Sequence, residues 1–158
     1  MKISVILPSN NKTATMEFLE SFQTMKEFNK CCEIIIIGNG NFDSMNCIVQ
    51  INNVSFIYEF WSGQGAIPFP KLRGKGIIQS SGEYLLFLDD DNRFPEGSDE
   101  FYMKCIKEIE NLNCGTLQAD RKRDEKSGIE VNPFGFYWTG YGLFIKNNFK
   151  VTEEHLNF

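Results

Sequence analysis

The chain has 158 residues and a net charge of -5, from 16 basic and 21 acidic side chains without a basic stripe. This length predicts a single domain, residues 1–158, that can bury a core, and the charge argues against a nucleic acid as partner. No run approaches about 18 apolar residues, and Met1 leads straight into a strand-like segment, so we expect neither a transmembrane segment nor a leader. Five cysteines, an odd number without Cys-x-x-Cys spacing, are typical of reduced thiols and indicate a cytoplasmic protein.

The first third of the sequence alternates between strand-like and helix-like segments. Runs of apolar residues predict three strands: Ile3 to Leu7, Glu33 to Ile37 and Val54 to Tyr58. Pro8 is expected to end the first of them. Apolar residues at helical spacing predict an amphipathic helix over Thr13 to Phe28, and Asp43 to Ile48 is predicted to form a short helix. This order of strand, helix and strand indicates a parallel sheet.

The middle of the chain contains its most apolar strand. A loop with two glycines at Trp61 to Phe69 precedes a helix predicted over Lys71 to Ser81, which Gly82 closes. The strand that follows, Leu85 to Leu88, is apolar at every position. We therefore expect it to be buried on both faces, as strands of parallel sheets are.

Three carboxylates follow this strand directly, at Asp89, Asp90 and Asp91. Adjacent anions repel one another, so their arrangement predicts a hard cation that prefers oxygen ligands, Mg²⁺ or Mn²⁺, bridged to a phosphate. Open α/β sheets bind their ligands at the carboxyl ends of the strands, which is where these side chains lie. The aspartates are therefore predicted to form a functional site.

In the last third of the sequence, the alternation of strand-like and helix-like segments ends. A helix is predicted over Asp99 to Leu112, and Thr116 to Ala119 is a candidate strand. The charged run Arg121 to Ser127 is typical of a solvated hairpin tip. The aromatic and glycine-rich stretch Ile129 to Ile145 is predicted to form short strands or loops that cover a site.

Three blocks of the sequence, residues 3–12, 73–91 and 140–146, resemble the inverting family 2 glycosyltransferases, nucleotide-sugar enzymes of the GT-A fold. Residues 3–12, ISVILPSNNK, resemble the opening VIIPTYNR of that family, and residues 140–146 resemble a segment near its acceptor side. A third block matches the family pattern RNxGixxAxGeyixfLDxD without a gap, through Arg73, Gly76, Gly82, Glu83, Tyr84 and the aspartates. The resemblance covers nearly the whole chain.

The resemblance implies an α/β fold, a Rossmann-like and mostly parallel central sheet flanked by helices, with a small C-terminal region of aromatic and glycine-rich strands and loops. Residues 1–95 are expected to form the nucleotide-binding half. Residues 96–158 are expected to form an acceptor-side half that is truncated relative to the family.

The resemblance also implies an activity and the residues that serve it. A sugar is transferred, with inversion, from a nucleotide-diphospho-sugar, with a UDP-sugar expected, to an unidentified glycan or lipid-linked acceptor. The resemblance assigns donor binding to Pro8, Ser9, Asn11, Asn39, Arg73, Asp89 and Asp90. The expected ligands of the metal, Mn²⁺ or Mg²⁺, are Asp91 and Asp89, and His155, the only histidine, is a candidate further ligand. The residues expected on the acceptor or sugar side are Trp138, Gly140, Tyr141 and Gly142.

The sequence departs from the family at two places. Residues 37–43 lack the two leading aspartates of the family segment VDDGSxD, although the Asn39 amide can pair with a uracil edge. The family motif that supplies the general base is absent, and Asp120, Glu153 and Glu154 are candidates among which the spacing does not select. Two functions therefore remain open: a transferase that slowly hydrolyses its donor, or a catalytically inactive nucleotide-sugar binding module.

Overall fold

The central feature of the fold is a mixed β-sheet. The computed structural model describes residues 2–38, 53–58, 69–112, 116–118, 141–147, 152 and 154. The six strands in these ranges are β1 (Ile3–Ser9), β2 (Cys32–Gly38), β3 (Val54–Tyr58), β4 (Tyr84–Leu88), β5 (Thr116–Gln118) and β6 (Tyr141–Lys146). They form one sheet in the order β3-β2-β1-β4-β6-β5. The first four of that order are parallel, β6 is antiparallel to β4, and β5 is antiparallel to β6.

Four helices lie in the described part of the chain. They are α1 (Lys12–Gln23), α2 (Lys26–Lys30), α3 (Phe69–Gln79) and α4 (Ser98–Leu112). None of these helices combines the length and the apolar character needed to cross a bilayer. The predicted α/β fold with a mostly parallel sheet is thus confirmed.

Apolar side chains cover both faces of the sheet. In β4, Leu86 and Leu88 join a cluster that contains the buried side chains of α1, α2 and α4, whereas Leu85 and Phe87 join a second cluster with Leu72 of α3. Successive residues of a strand point to opposite faces, so a strand between two such clusters must be apolar throughout. The prediction that this strand is buried on both faces is confirmed.

Helix α3 approaches the sheet closely at Gly76. A Cβ atom at this position would lie 2.6 Å from Ile6 Cγ2 and 2.9 Å from Ile37 Cδ1. Glycine costs a helix about 1 kcal/mol relative to alanine, and here it allows the helix to lie against β1 and β2. Arg73 is three residues earlier on α3, so this close packing also brings its side chain to the sheet.

An aromatic cluster anchors the segment that follows the aspartates. The Phe94 ring lies 5.4 Å from both Phe18 and Phe22 of α1 and 5.8 Å from Tyr102 of α4, measured between ring centroids. Phe28 of α2 completes the cluster, 4.9 Å from Tyr102. Because Phe94 is buried among these rings, the chain after β4 is fixed against α1.

Two predicted elements differ from the structure. The single helix expected over Thr13 to Phe28 is two helices, because the Thr24 hydroxyl donates to the Ser21 carbonyl (2.7 Å) where α1 ends. Helix α2 then begins where the Asp99 carboxylate accepts the N–H groups of Glu27 and Phe28 (3.1 and 2.8 Å).

The prediction that Pro8 ends the first strand is also wrong, because β1 continues to Ser9. Strand β4 pairs with β1 only as far as Ile6, so Pro8 lies where β1 has a single partner strand. The predicted helix at 43–48, most of the predicted loop at 61–69 and the predicted hairpin at 121–127 lie outside the described residues.

A polar cluster joins the amino ends of three strands. The Glu33 carboxylate of β2 accepts hydrogen bonds from the Ser4 hydroxyl of β1 (2.6 Å) and the Ser81 N–H (2.7 Å), and it pairs with Lys2 (2.8 Å). Ser4 is fully buried and accepts a hydrogen bond from the Gly82 N–H (2.8 Å). Partial burial alone raises the pKa of Glu33, but the hydrogen bonds from Lys2, Ser4 and Ser81 outweigh it and lower the pKa to about 2.

We predict that Glu33 makes the fold acid-sensitive. A carboxyl whose pKa falls from 4.5 to about 2 on folding stabilises the protein above pH 4.5, and this contribution is lost as the pH falls toward 2. In Glu33→Gln, the free energy of unfolding should be lower at pH 7 and should change less between pH 4.5 and 2 than in the wild type. Urea unfolding at a series of pH values measures both effects.

The control is Glu110→Gln, which removes an exposed carboxylate of α4. Its acid profile should follow the wild type. An unchanged acid profile in Glu33→Gln would show that the cluster at the amino ends does not contribute to pH-dependent stability.

Candidate functional site

The strand order reverses between β1 and β4. The chain proceeds from β1 to β2 and then to β3 on one side, whereas β4 lies on the other side of β1. In open α/β sheets, the crevice at the carboxyl ends of the two strands at such a reversal is where ligands bind. Ser9 ends β1 and Asp89 follows β4, so the polar residues of the candidate site lie at this crevice.

Asp90 is held by buried hydroxyl groups at the end of β1. The Ser9 hydroxyl donates a short hydrogen bond to Asp90 Oδ2, and the Thr15 hydroxyl donates to Ser9 Oγ (2.8 Å). Ser9 is 4% exposed and Thr15 is fully buried. The Ser9 side chain, predicted to bind the donor, is thus directed at Asp90.

Asn11 connects the end of β1 to the start of α1. Its side-chain oxygen accepts the Ala14 N–H (3.1 Å) as the N-cap of the helix, and its own N–H donates to Ser9 Oγ (3.1 Å). The predicted donor-binding residues Pro8, Ser9 and Asn11 therefore lie together at the junction of β1 and α1. Their contact with a donor stays a prediction.

Asp89 is paired with Arg73. The guanidinium Nη2 of Arg73 lies 3.2 Å from Asp89 Oδ1, and Arg73 Cζ lies 5.8 Å from the centroid of the Phe87 ring. Burial raises the pKa of Asp89, the Arg73 charge opposes that rise, and the charges of Asp91 and Asp90 add to it, so that the pKa lies above its usual range. Burial, the largest of these effects, therefore outweighs the pairing with Arg73.

Two hydrogen bonds between Asp89 and Asn92 close the aspartate turn, residues 89–92. The Asn92 side-chain oxygen accepts the Asp89 N–H (2.9 Å), and the Asn92 N–H donates to the Asp89 carbonyl (3.1 Å). Arg93 donates to the Asp90 carbonyl (2.9 Å) and pairs with Glu17 of α1. These contacts fix the backbone of the turn from the side of α1.

Asp91 differs from its two neighbours. It is exposed, and within the described residues it makes no hydrogen bond or ion pair with the protein. The described part of the chain also contains no group of three or more His, Cys, Asp or Glu side chains placed to hold a metal ion. Magnesium at phosphate sites is commonly held by one or two carboxylates and completed by phosphate oxygens and water. The carboxylate oxygens of Asp91 and Asp89 are hard donors and fit Mg²⁺ or Mn²⁺ held in that way.

Strand β6 brings the predicted acceptor-side segment next to the aspartates. Tyr141, the first residue of β6, is opposite Leu88 in the antiparallel pair, one residue before Asp89. The register shifts between Phe87 and Leu88, which marks an irregularity just before the aspartate turn. Tyr141 and Gly142 are thus adjacent in the sheet to the end of β4.

Most of the other predicted site residues lie outside the part of the chain that the structure describes. The residues outside the described ranges are Asn39, Asp120, Trp138, Gly140, Glu153 and His155. Glu154 is described as an exposed residue, without a contact to the aspartate turn among those the structure describes. The assignment of a general base stays open.

Sequence reasoning missed Thr15, Asn92 and Arg93. A usable signal existed for Asn92, because asparagine is one of the residue types that favour turns. No local pattern indicates that Thr15, in the first turn of α1, contacts Ser9. That contact arises from the angle at which α1 leaves β1.

We predict that Arg73 and Asp89 are energetically coupled. Arg73→Met leaves the partly buried Asp89 carboxylate without its cation and should lower the free energy of unfolding by about 1–3 kcal/mol. Adding Asp89→Asn to Arg73→Met should recover part of this loss. A double-mutant cycle by urea unfolding measures the coupling.

The matched control is the cycle for Glu27 and Lys30, an ion pair whose side chains are 63% and 68% exposed. Its coupling should be smaller, because water screens an exposed pair. Equal couplings in the two cycles would contradict a special role for the pair in the site.

Comparison with known proteins relates the chain to glycosyltransferases. No family model matches it. It is 29% identical over 110 residues to an uncharacterized glycosyltransferase of Rickettsia bellii and 31% identical over 114 residues to one of Rickettsia felis, in each case over 68% of the chain. The chain spans only 15% and 17% of the lengths of these two proteins.

Solved structures share the fold. Residues 1–349 of S. aureus TarS, in complex with UDP-GlcNAc, match with a TM-score of 0.61 at 23% identity, covering 87% of this chain and 37% of that one. The mannosyltransferase PcManGT from Pyrobaculum calidifontis, in complex with GDP-Man and Mn²⁺, matches with a TM-score of 0.66 at 15% identity, covering 92% and 44%. The predicted resemblance to glycosyltransferases is thereby confirmed, and the chain has the α/β fold that these solved structures share.

Proposed function

We propose that this chain binds a nucleotide-diphospho-sugar at the crevice between β1 and β4 and transfers the sugar to an acceptor. The observation that carries the proposal is Asp91, which is exposed and makes no hydrogen bond or ion pair among the described residues. It lies beside the Arg73–Asp89 pair, at the point where the strand order reverses. Such a site suits a ligand with a diphosphate, because a cation and an arginine both recognise phosphate oxygens. The relatives named as glycosyltransferases support this class of reaction.

A UDP-sugar is the first candidate donor. The structural neighbour TarS is known in complex with UDP and with UDP-GlcNAc, and the mannosyltransferase neighbour in complex with GDP-Man. The proposal favours uridine because the Asn39 amide offers both a donor and an acceptor to a uracil edge, and guanosine is the competing nucleotide. The acceptor is proposed to approach at the start of β6, whose backbone lies beside Leu88.

Each residue of the site has a distinct proposed role. Asp91 and Asp89 would hold Mn²⁺ or Mg²⁺, which when bound supplies positive charge to the diphosphate leaving group. Arg73 pairs with Asp89 at 3.2 Å, and it would add a fixed positive charge near the diphosphate oxygens. Transfer is proposed to proceed with inversion, with the general base among Asp120, Glu153 and Glu154, and with His155 as a candidate further metal ligand.

We predict that the protein binds UDP only in the presence of Mn²⁺ and that Asp91 is required. Asp91→Asn keeps the shape of the side chain but removes its charge, so it should weaken UDP binding by more than about tenfold. Isothermal titration of UDP into the protein, with and without Mn²⁺, measures this effect. Glu96→Gln, a change at an exposed carboxylate five residues later, is the matched control and should bind like the wild type.

Three outcomes would count against the proposal. Equal UDP affinity in Asp91→Asn and the wild type would remove Asp91 from the metal site. No binding of UDP with Mn²⁺, together with binding of GDP, would replace the uridine assignment. If neither nucleotide binds, the proposed function fails.

We predict that the bound donor is turned over. Incubation with UDP-GlcNAc or another UDP-sugar and Mn²⁺ should release UDP, slowly when water is the only acceptor, and a coupled assay for UDP measures the rate. Asp91→Asn should abolish the release, and Glu96→Gln should not change it. Metal-dependent binding without UDP release from any UDP-sugar would instead favour a nucleotide-sugar binding module.

A further inference from the structure

We propose that the buried hydroxyl groups of Ser9 and Thr15 position the aspartate turn for its cation and diphosphate. They act through Asp90, so they are positioning residues and do not touch the ligand. The inference rests on the proposed function. It assigns a positioning role to Thr15, which no sequence pattern indicated. It also changes the role of Ser9 from contact with the donor to positioning of the aspartate turn.

The hydrogen bonds around Ser9 Oγ determine where its proton lies. The Thr15 hydroxyl (2.8 Å) and the Asn11 N–H (3.1 Å) both donate to this oxygen, which fills its two acceptor positions. The Ser9 proton has two possible acceptors, Asp90 Oδ2 and the Asn11 carbonyl at 3.2 Å, and the contact with Asp90 is the shorter one. A hydrogen bond from a hydroxyl to a carboxylate is stronger than one to a neutral carbonyl. Ser9 therefore donates to Asp90.

Thr15 supports this arrangement from the first turn of α1. It is fully buried, and its hydroxyl lies 2.8 Å from Ser9 Oγ and 3.0 Å from the Asn11 carbonyl. A hydroxyl that accepts a hydrogen bond is a better donor in turn, so the chain from Thr15 through Ser9 strengthens the bond to Asp90. The start of α1 is thereby connected to the aspartate turn.

Asp90 is fixed at both its side chain and its backbone. Ser9 holds the carboxylate, and Arg93 donates to the Asp90 carbonyl at 2.9 Å. The next residue, Asp91, makes no hydrogen bond or ion pair of its own within the described residues. Its direction is consequently set by the neighbours on either side, Asp90 and Asn92. Removing the Ser9 hydroxyl frees the Asp90 carboxylate and so weakens the restraint on the Asp90 side of Asp91.

Charge makes the restraint on Asp90 important. Three adjacent carboxylates repel, and a mobile Asp90 can turn toward the position where Asp89 and Asp91 would bind the cation. A site held in advance loses less conformational freedom when the ligand binds. The Ser9 hydrogen bond engages the Asp90 carboxylate at the end of β1, which leaves Asp89 and Asp91 for the metal.

The same strand contains an internal control. Ser4 is also buried and also donates to a carboxylate, Glu33 Oε1 at 2.6 Å, at the opposite end of β1. Ser4→Ala and Ser9→Ala therefore remove the same group from the same strand and a similar kind of hydrogen bond. Only Ser9→Ala removes a contact with the aspartate turn.

The experiment is calorimetric titration of UDP in the presence of Mn²⁺ into the wild type, Ser9→Ala, Ser4→Ala, Thr15→Val and Thr15→Ser, with the melting temperature of each. We expect Ser9→Ala to weaken UDP binding by about tenfold and Thr15→Val by a smaller factor. Thr15→Ser keeps the hydroxyl and should bind like the wild type. Ser4→Ala should lower the melting temperature but leave the affinity within about twofold.

The outcomes separate this inference from the proposed function. Wild-type affinity in Ser9→Ala would overturn the inference alone, and equal weakening in Ser4→Ala and Ser9→Ala would also overturn it by tracing the loss to stability. If the wild type does not bind UDP with Mn²⁺, the proposed function and this inference both fail. Should Ser9→Ala not fold, the comparison of Thr15→Val with Thr15→Ser decides, and equal affinity in these two variants would overturn the inference.

Discussion

Burial of the parallel strands on both faces decides where polar chemistry can lie in this molecule. The middle of β1 shows the constraint, since Val5 and Leu7 pack into one apolar cluster and Ile6 into the other. A charged side chain placed there would lose its hydration without gaining a partner. Carboxylates are therefore found at the two ends of the strands, Glu33 at the amino ends and Asp89 to Asp91 at the carboxyl ends. The position of the candidate site follows from this division.

Three adjacent carboxylates present one electrostatic problem, and the fold gives each of them a different environment. The Asp89 carboxylate pairs with the Arg73 guanidinium, the Asp90 carboxylate accepts a hydrogen bond from the Ser9 hydroxyl, and Asp91 is exposed to solvent. Burial raises the pKa of Asp89, and the charges of Asp91 and Asp90 add to the rise that the Arg73 charge opposes. Carboxylates in such surroundings are neutralised by a proton or by a cation, and the proposed function assigns a cation with a diphosphate to this turn.

The sequence predicted the sheet better than it predicted the site. A strongly apolar run such as Leu85 to Leu88 is stable only where it is buried on both faces. The strand, its burial and the edge of the sheet at which the aspartates lie could therefore be predicted. The break between α1 and α2 could not, because it depends on Asp99, more than seventy residues later, whose carboxylate accepts N–H groups of α2. Thr15 was missed for the same reason, since its partner is determined by tertiary packing. Residue types predicted a cation site at Asp89 to Asp91, but only the geometry distinguished the environments of the three side chains.

Strand β1 has a serine bonded to a carboxylate near each end, Ser4 to Glu33 and Ser9 to Asp90. The two serines are five positions apart in extended chain, which corresponds to about 16 Å. Sites this far apart without shared partners behave almost independently. An engineer can therefore adjust the stability of the domain through Lys2, Glu33 and Ser81 without altering the aspartate turn. In this architecture, stability and the geometry of the candidate site are separate design variables located at opposite ends of a single strand.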